Sequence, residues 1–129
     1  MTSFLPCVAV VDDEAPGRIA LRRLLRLTDY EVEEFASGEA FLASLGTRRP
    51  DCVILDVHMP GLSGFDVQSR LQAMRADLPV IFITASDDPD LDRRALEAGG
   101  RRLLRKPFSN DDLLATVDSA LRRRSRDDK

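Results

Sequence analysis

Residues 52–61 read Cys-Val-Ile-Leu-Asp-Val-His-Met-Pro-Gly, and the change of character at Asp56 decides how the chain folds. Four apolar residues, two of them β-branched, are too few for a helix and show no polar alternation. They fit a strand covered on both faces, as in a parallel sheet. The strand stops at an acid, and Met59, Pro60 and Gly61 follow as a turn rather than as the start of a helix. Moving outward, the runs Cys7–Val11 and Val80–Thr84 have the same nearly continuous apolar character. Two weaker runs, at Tyr30–Phe35 and Arg102–Leu104, bring the total to five.

Helical patterns fill the gaps between them. Leu21, Leu24 and Leu25 form an apolar stripe opposite Arg18, Arg22, Arg23 and Arg26, with Pro16 suited to the first turn. A helix fits Glu39–Leu45, and Val67, Leu71 and Met74 repeat the helical spacing. The segment from Asp88 to Ala98 carries a thin stripe of Leu91, Ala95 and Ala98, so it is expected to be the least firmly packed helix, ended by Gly99 and Gly100. The last helix spans Asn110 to Arg124, with Leu113, Val117, Ala120 and Leu121 inward and Ser109 with Asp112 as a capping pair. Five alternations of strand and helix predict an α/β fold: a single doubly wound, flavodoxin-like parallel sheet of order 2-1-3-4-5, helices on both faces. The domain is read as residues 1–129, with a core over about 7–124 and a tail at 125–129.

Ligands of such sheets sit beyond the carboxyl ends of the strands. The residues there are Asp12 with Asp13, then Asp56, Thr84 and Lys106. The first and third strands flank the switch point, which brings the three acids together. Two unit charges about 4 Å apart repel by about 4 kcal/mol at an effective dielectric of 20, so the cluster asks for a cation or for raised pKa values. An oxygen-only set suits magnesium better than zinc. Asp13 or Glu14 also reads as a simple helix cap, but capping does not account for Asp56. Of nineteen basic residues only Lys106 and Lys129 are lysine, so position 106 favours a compact ammonium over a planar guanidinium. Lys106 can pair with Asp56 and then with a phosphoryl oxygen, while a solvated loop lysine is the plainer reading. Pro107 holds it in a rigid turn, with a cis peptide bond as one form. Thr84 is compatible with an ordinary strand residue, and His58, the one histidine, with a surface loop.

The net charge of −3 gives no general attraction to nucleic acid, despite the basic run Arg122, Arg123 and Arg124. No membrane segment or signal peptide is read, which places the protein in the cytosol. Cys7 and Cys52 fall inside apolar runs and read as small core residues rather than as a disulfide or metal ligands.

The strings VVDDE (10–14), VILDVHMPGLSGFD (53–66), VIFITA (80–85) and LLRKPF (103–108) resemble, in order and at similar spacings, the signature segments of response-regulator receiver domains. The resemblance covers about Val8 to Leu121. It implies a two-component signalling switch in which Asp56 accepts a phosphoryl group from a sensor histidine kinase or phosphotransfer protein, with Mg2+ as cofactor. Asp13 would ligate the ion directly, Asp12 through water and His58 through its backbone carbonyl. Thr84 would contact the phosphoryl group and Lys106 would pair with it. Such a domain promotes its own phosphorylation and dephosphorylation and is not a turnover enzyme. His58 and Ser86 stand where family members tune hydrolysis of the acyl phosphate.

One departure concerns position 103, where the family usually carries Tyr or Phe and this chain has Leu103. Leucine cannot reproduce the inward swing of a ring, so the readout through the face of helix 4, strand 5 and helix 5 is expected to be weaker or differently built. That face carries Arg101, Arg102 and Arg105 opposite Asp90, Asp92 and Glu97, which predicts charge-mediated contacts with a partner or a second copy. A receiver fold kept only as an interaction module is the alternative. An aspartyl phosphohydrolase of the haloacid-dehalogenase type fits less well, because its nucleophile follows the first strand with an acid two residues later, where this chain has His58. No G-x-G-x-x-G or Walker A pattern supports a nucleotide module.

Overall fold

The computed structural model describes residues 5–127, with side chains described through Arg122. The side chains of Arg123 and Arg124 and the end of the expected tail lie outside the described residues. The elements run β1 (Cys7–Val11), α1 (Ala15–Leu27), β2 (Glu31–Phe35), α2 (Gly38–Ser44), β3 (Cys52–Asp56), α3 (Gly64–Ala73), β4 (Val80–Thr84), α4 (Asp90–Glu97), β5 (Arg102–Arg105) and α5 (Asn110–Asp127). All five strands are parallel, in the order β2-β1-β3-β4-β5 expected from the sequence.

The period-2 geometry of the three central strands sends alternate side chains to opposite faces. Ala9, Val11, Val53, Leu55, Val80 and Phe82 meet Phe41 of α2, Val67 and Leu71 of α3 and Leu91 and Ala95 of α4. Val8, Val10, Ile54, Ile81 and Ile83 meet Leu21 and Leu25 of α1 and Leu113, Val117 and Ala120 of α5. Burying one such side chain is worth roughly 1.5–3 kcal/mol, so the two apolar layers hold the sheet and its strand ends in place. Cys7 and Cys52 are buried thiols not joined in a disulfide, and Cys52 lies in the second of these layers. Burial pushes the Cys7 thiol up to about 11, as befits a core residue.

Several boundaries differ from the sequence expectation for identifiable reasons. Tyr30 lies outside β2 because its N–H bonds the Leu25 carbonyl at 3.1 Å, closing the end of α1 instead of joining the ladder. Met74 caps α3 and is 46% exposed, and the buried stripe of that helix takes in Gln68 instead. Helix α4 starts at Asp90 rather than Asp88, whose carboxylate accepts the Asp90 N–H at 3.0 Å and so precedes the helix as a turn. Ala98 is the cap of α4 and, half-buried, packs on the same core cluster as Leu91 and Ala95. Helix α5 continues past Arg124 to Asp127. Ser109 accepts the Asp112 N–H at 3.0 Å as anticipated, and Ser63 with Asp66 forms a full capping box on α3 that was not anticipated.

The α4 helix is tied more firmly than its thin stripe suggested. Gln68 and Gln72 of α3 each donate a side-chain N–H to the Ala98 carbonyl at 3.0 Å. The Arg94 guanidinium lies 4.6 Å from the centre of the Phe65 ring, which itself packs on Phe82. Among the described residues no helix is long and apolar enough to cross a membrane.

Candidate functional site

Strands β1 and β3 are paired up to Val11 and Leu55, so the residues that follow, Asp12 just past β1 and Asp56 at the last position of β3, stand side by side. Asp12 and Asp56 are buried at 0% and 4% exposure, whereas Asp13 is exposed. A carboxylate oxygen from each of the three lies within 4.8 Å of the others. Lys106 reaches across from the end of β5 and closes the group, its Nζ 3.1 Å from Asp12 Oδ2 and 3.3 Å from Asp56 Oδ2. The Lys106–Pro107 peptide is cis. The lysine therefore bridges both buried acids, where the sequence suggested a pairing with Asp56 alone.

The other oxygen of each buried acid accepts a backbone N–H. Asp12 Oδ1 accepts the Glu14 N–H at 3.0 Å and Asp56 Oδ1 accepts the His58 N–H at 3.1 Å. Glu14 at the N-cap of α1 makes no side-chain capping bond. Burial pushes the Asp56 carboxyl up to about 6, with Lys106 and the His58 N–H pulling it down and Asp12 adding to the rise. Burial acts against the Lys106 ammonium, yet the hydrogen bond to Asp12 and the charge of Asp56 carry its pKa above the ordinary lysine value. Two buried acids and one exposed acid meeting one ammonium leave the group net negative, with oxygen donors only. That donor set fits a hard divalent cation.

Thr84 ends β4 fully buried, and its hydroxyl oxygen accepts the Ser86 N–H at 3.1 Å. The Ser86 hydroxyl oxygen in turn accepts the Asp88 N–H at 3.1 Å, and Asp88 accepts from Asp90 as described above. Three successive turns thus lead from Thr84 to the first residue of α4. Arg105 secures the same loop by donating to the Asp88 carbonyl at 2.6 Å and to Asp92 Oδ1 at 3.0 Å. His58 is exposed and Ser86 half-buried. Leu103 is half-buried against the α2–α3–α4 layer, beside Phe82 in the sheet register. On this face Asp92 pairs with Arg105, and Asp90 and Glu97 pair with Arg93, so acids expected to meet a partner are already engaged within the chain.

Residues 8–118 match the response regulator receiver domain family. The chain belongs to that family. It is 40% identical over 121 residues to the response regulator MprA of Mycolicibacterium vanbaalenii, covering 94% of this chain and 52% of the relative. The chain thus spans about half the length of the curated relatives it matches. A response regulator receiver protein from Burkholderia phymatum superposes with a TM-score of 0.81 at 48% identity, covering 90% of this chain and 94% of that one. Vibrio cholerae chemotaxis protein CheY4 gives a TM-score of 0.83 at 31% identity, covering 92% of this chain and all of the other. The receiver is a two-component signalling switch of a family characterised by phosphorylation on aspartate, and receivers bind Mg2+ through acidic residues and interact with histidine kinases.

Two contributors to the receiver's site were not read from the sequence. Gly64 opens α3 where an added Cβ would lie 2.5 Å from the Asp56 carbonyl oxygen, so the helix passes the strand end only because no side chain intervenes. Its signal was the second glycine of the turn, after Gly61 with its φ of +75°. Arg18 donates to the Asp12 carbonyl at 2.8 Å. In the sequence it is indistinguishable from the other arginines of α1.

Proposed function

We propose that Asp56 is the phosphoacceptor of this receiver, taking the phosphoryl group of a phosphohistidine on a histidine kinase or phosphotransfer protein, or of a small phosphodonor. The observation that carries the reading is Lys106 spanning the two buried acids at 3.1 and 3.3 Å beside exposed Asp13. An Asp56 carboxylate oxygen attacks phosphorus in line with the donor nitrogen, so that an O–P bond forms as the N–P bond breaks. An ionised carboxylate needs no general base. Lys106 shifts from its carboxylate partners to a phosphoryl oxygen, and the Thr84 hydroxyl donates to another. Asp13, Asp56 and the His58 carbonyl would hold magnesium directly and Asp12 through water. Bound there, the ion supplies charge neutralisation for the equatorial oxygens. His58 and Ser86 flank the path of the hydrolytic water and tune the lifetime of the acyl phosphate.

Output runs through the face of α4, β5 and α5, toward a partner or a second copy, with Leu103 in place of the usual ring. Incubation with acetyl phosphate or phosphoramidate, with and without magnesium, tests the assignment by mass. A metal-dependent gain of one phosphoryl group that is lost in Asp56→Ala is expected. A gain that survives in Asp56→Ala assigns the acceptor elsewhere, and no gain in the wild type favours a receiver fold used only for interaction.

A further inference from the structure

The arginines of α1 are not equivalent. Arg18 is 16% exposed, and its guanidinium donates in two directions, to the Asp12 carbonyl at 2.8 Å and to Glu34 Oε1 of β2 at 3.0 Å. Arg22 donates to the other oxygen of Glu34 without touching Asp12. On the opposite side, the Asp12 N–H bonds the Phe35 carbonyl at 3.1 Å, immediately after Glu34. Both backbone polar groups of Asp12 are therefore fixed, one by β2 itself and one by an arginine that β2 holds. Hydrogen bonds from Arg18 and Arg22 outweigh the effect of burial and keep Glu34 below the usual carboxylate range, so the anchor stays charged at neutral pH.

The Asp12 carbonyl belongs to the peptide that carries the Asp13 N–H. Its orientation sets the direction in which Asp13 leaves the chain. Asp12 has its own side-chain bonds to Glu14 and Lys106, but Asp13 is exposed and depends on that peptide for its aim. We propose that Arg18 is a positioning residue for the divalent-cation site, holding the Asp12–Asp13 peptide so that the Asp13 carboxylate converges with Asp12 and Asp56. This rests on the reading of those three acids as the cation site.

Electrostatics and positioning predict opposite signs. Removing a positive charge next to a cation site strengthens cation binding by Coulomb attraction alone. Losing the grip on the peptide weakens it. An ion pair that merely pins α1 to β2 predicts similar effects for Arg18 and Arg22.

The test is Mn2+ binding to the full chain, read from the paramagnetic resonance of the free ion, in wild type, Arg18→Gln and Arg22→Gln, with thermal unfolding of each in metal-free buffer. Arg18→Gln is expected to bind Mn2+ about ten-fold more weakly, the scale on which supporting partners of metal ligands act. Arg22→Gln is expected to stay within about two-fold, since it loses only a partly exposed ion pair. Equal or tighter binding in Arg18→Gln, or an equal loss in both variants, overturns the proposal. If Arg18→Gln does not fold, Arg18→Lys replaces it: it keeps the charge but cannot reach the Asp12 carbonyl and Glu34 together, so weaker binding is again expected and unchanged binding again overturns the proposal. Absence of Mn2+ binding in the wild type would instead sink the cation-site reading itself.

Discussion

Thr84 and Arg105 face each other in the β4–β5 register, and each holds one part of the loop that leads into α4: Thr84 takes the Ser86 N–H, and Arg105 donates to the Asp88 carbonyl. The buried strand end and the base of α4 are thereby joined by short, saturable hydrogen bonds. This joint is the hydrogen-bonded connection between Thr84 and the start of α4.

Arg105→Ala is expected to loosen that loop without disturbing the acids. The ion pair with Asp92 is partly exposed and worth less than about 1 kcal/mol, and the bond to the Asp88 carbonyl adds about as much. Amide exchange at residues 86–92 should accelerate while β1 and β3 keep their protection. Unchanged exchange there would show that the turns hold the loop unaided.

Asp56→Asn is expected to stabilise the metal-free protein at neutral pH. Asp56 ionises near 6 in the folded chain against 3.8 when unfolded, so the unfolded state releases its proton first. A raised carboxyl of this kind contributes stability that is fully present below about pH 4 and lost as pH rises through about 6. The loss amounts to about 3 kcal/mol, the attraction of Lys106 being already contained in the value near 6. Denaturant melts of both proteins at pH 4.5 and 7.5 check this: the gap in favour of Asp56→Asn should widen at the higher pH, and a gap that narrows would refute it.

Lys106→Met removes the shared cation from two buried acids. Folding stability should drop by about 1–3 kcal/mol at neutral pH, and phosphorylation by acetyl phosphate should slow by roughly a hundred-fold or more, the scale for loss of one charge-stabilising donor. Lys106→Arg should restore stability better than rate, because a planar guanidinium does not reproduce the placement of a single ammonium. Melting and phosphorylation kinetics measured on the same samples separate the two effects.

Gly64→Ala forces a methyl group against the Asp56 carbonyl. The strand end or the start of α3 has to shift, at a cost of about 1–3 kcal/mol typical of overpacking, and the phosphoryl gain should slow in parallel. Normal stability and rate together would mean that the turn at 57–63 absorbs the methyl group freely.

The fold was legible because three strands are apolar on both faces and each stops at a polar residue, and those endings also exposed Asp12, Asp56 and Thr84. Legibility failed where one residue type serves two purposes. Tyr30 has the composition of a strand residue but spends its N–H on closing α1. Gln68 reads as polar surface yet is buried, since its amide has a partner in the Ala98 carbonyl, a contact 30 positions away that no local pattern encodes. Arg18 hides among its neighbours because only the third dimension distinguishes the arginine that turns toward Asp12.

The two glutamines that share the Ala98 carbonyl turn α4 into a lever. Its far end is held to α3, and its near end is held by the turns after Thr84, by the Arg105–Asp92 pair and by buried Leu91. The arm is about 12 Å long, so a shift of about 1 Å at Asp90 rotates the helix by roughly 5° without moving Ala98. The exposed side chains along the arm, Arg93 and Leu96 among them, would sweep by graded amounts, most at the end nearest the acids and least beside the glutamines.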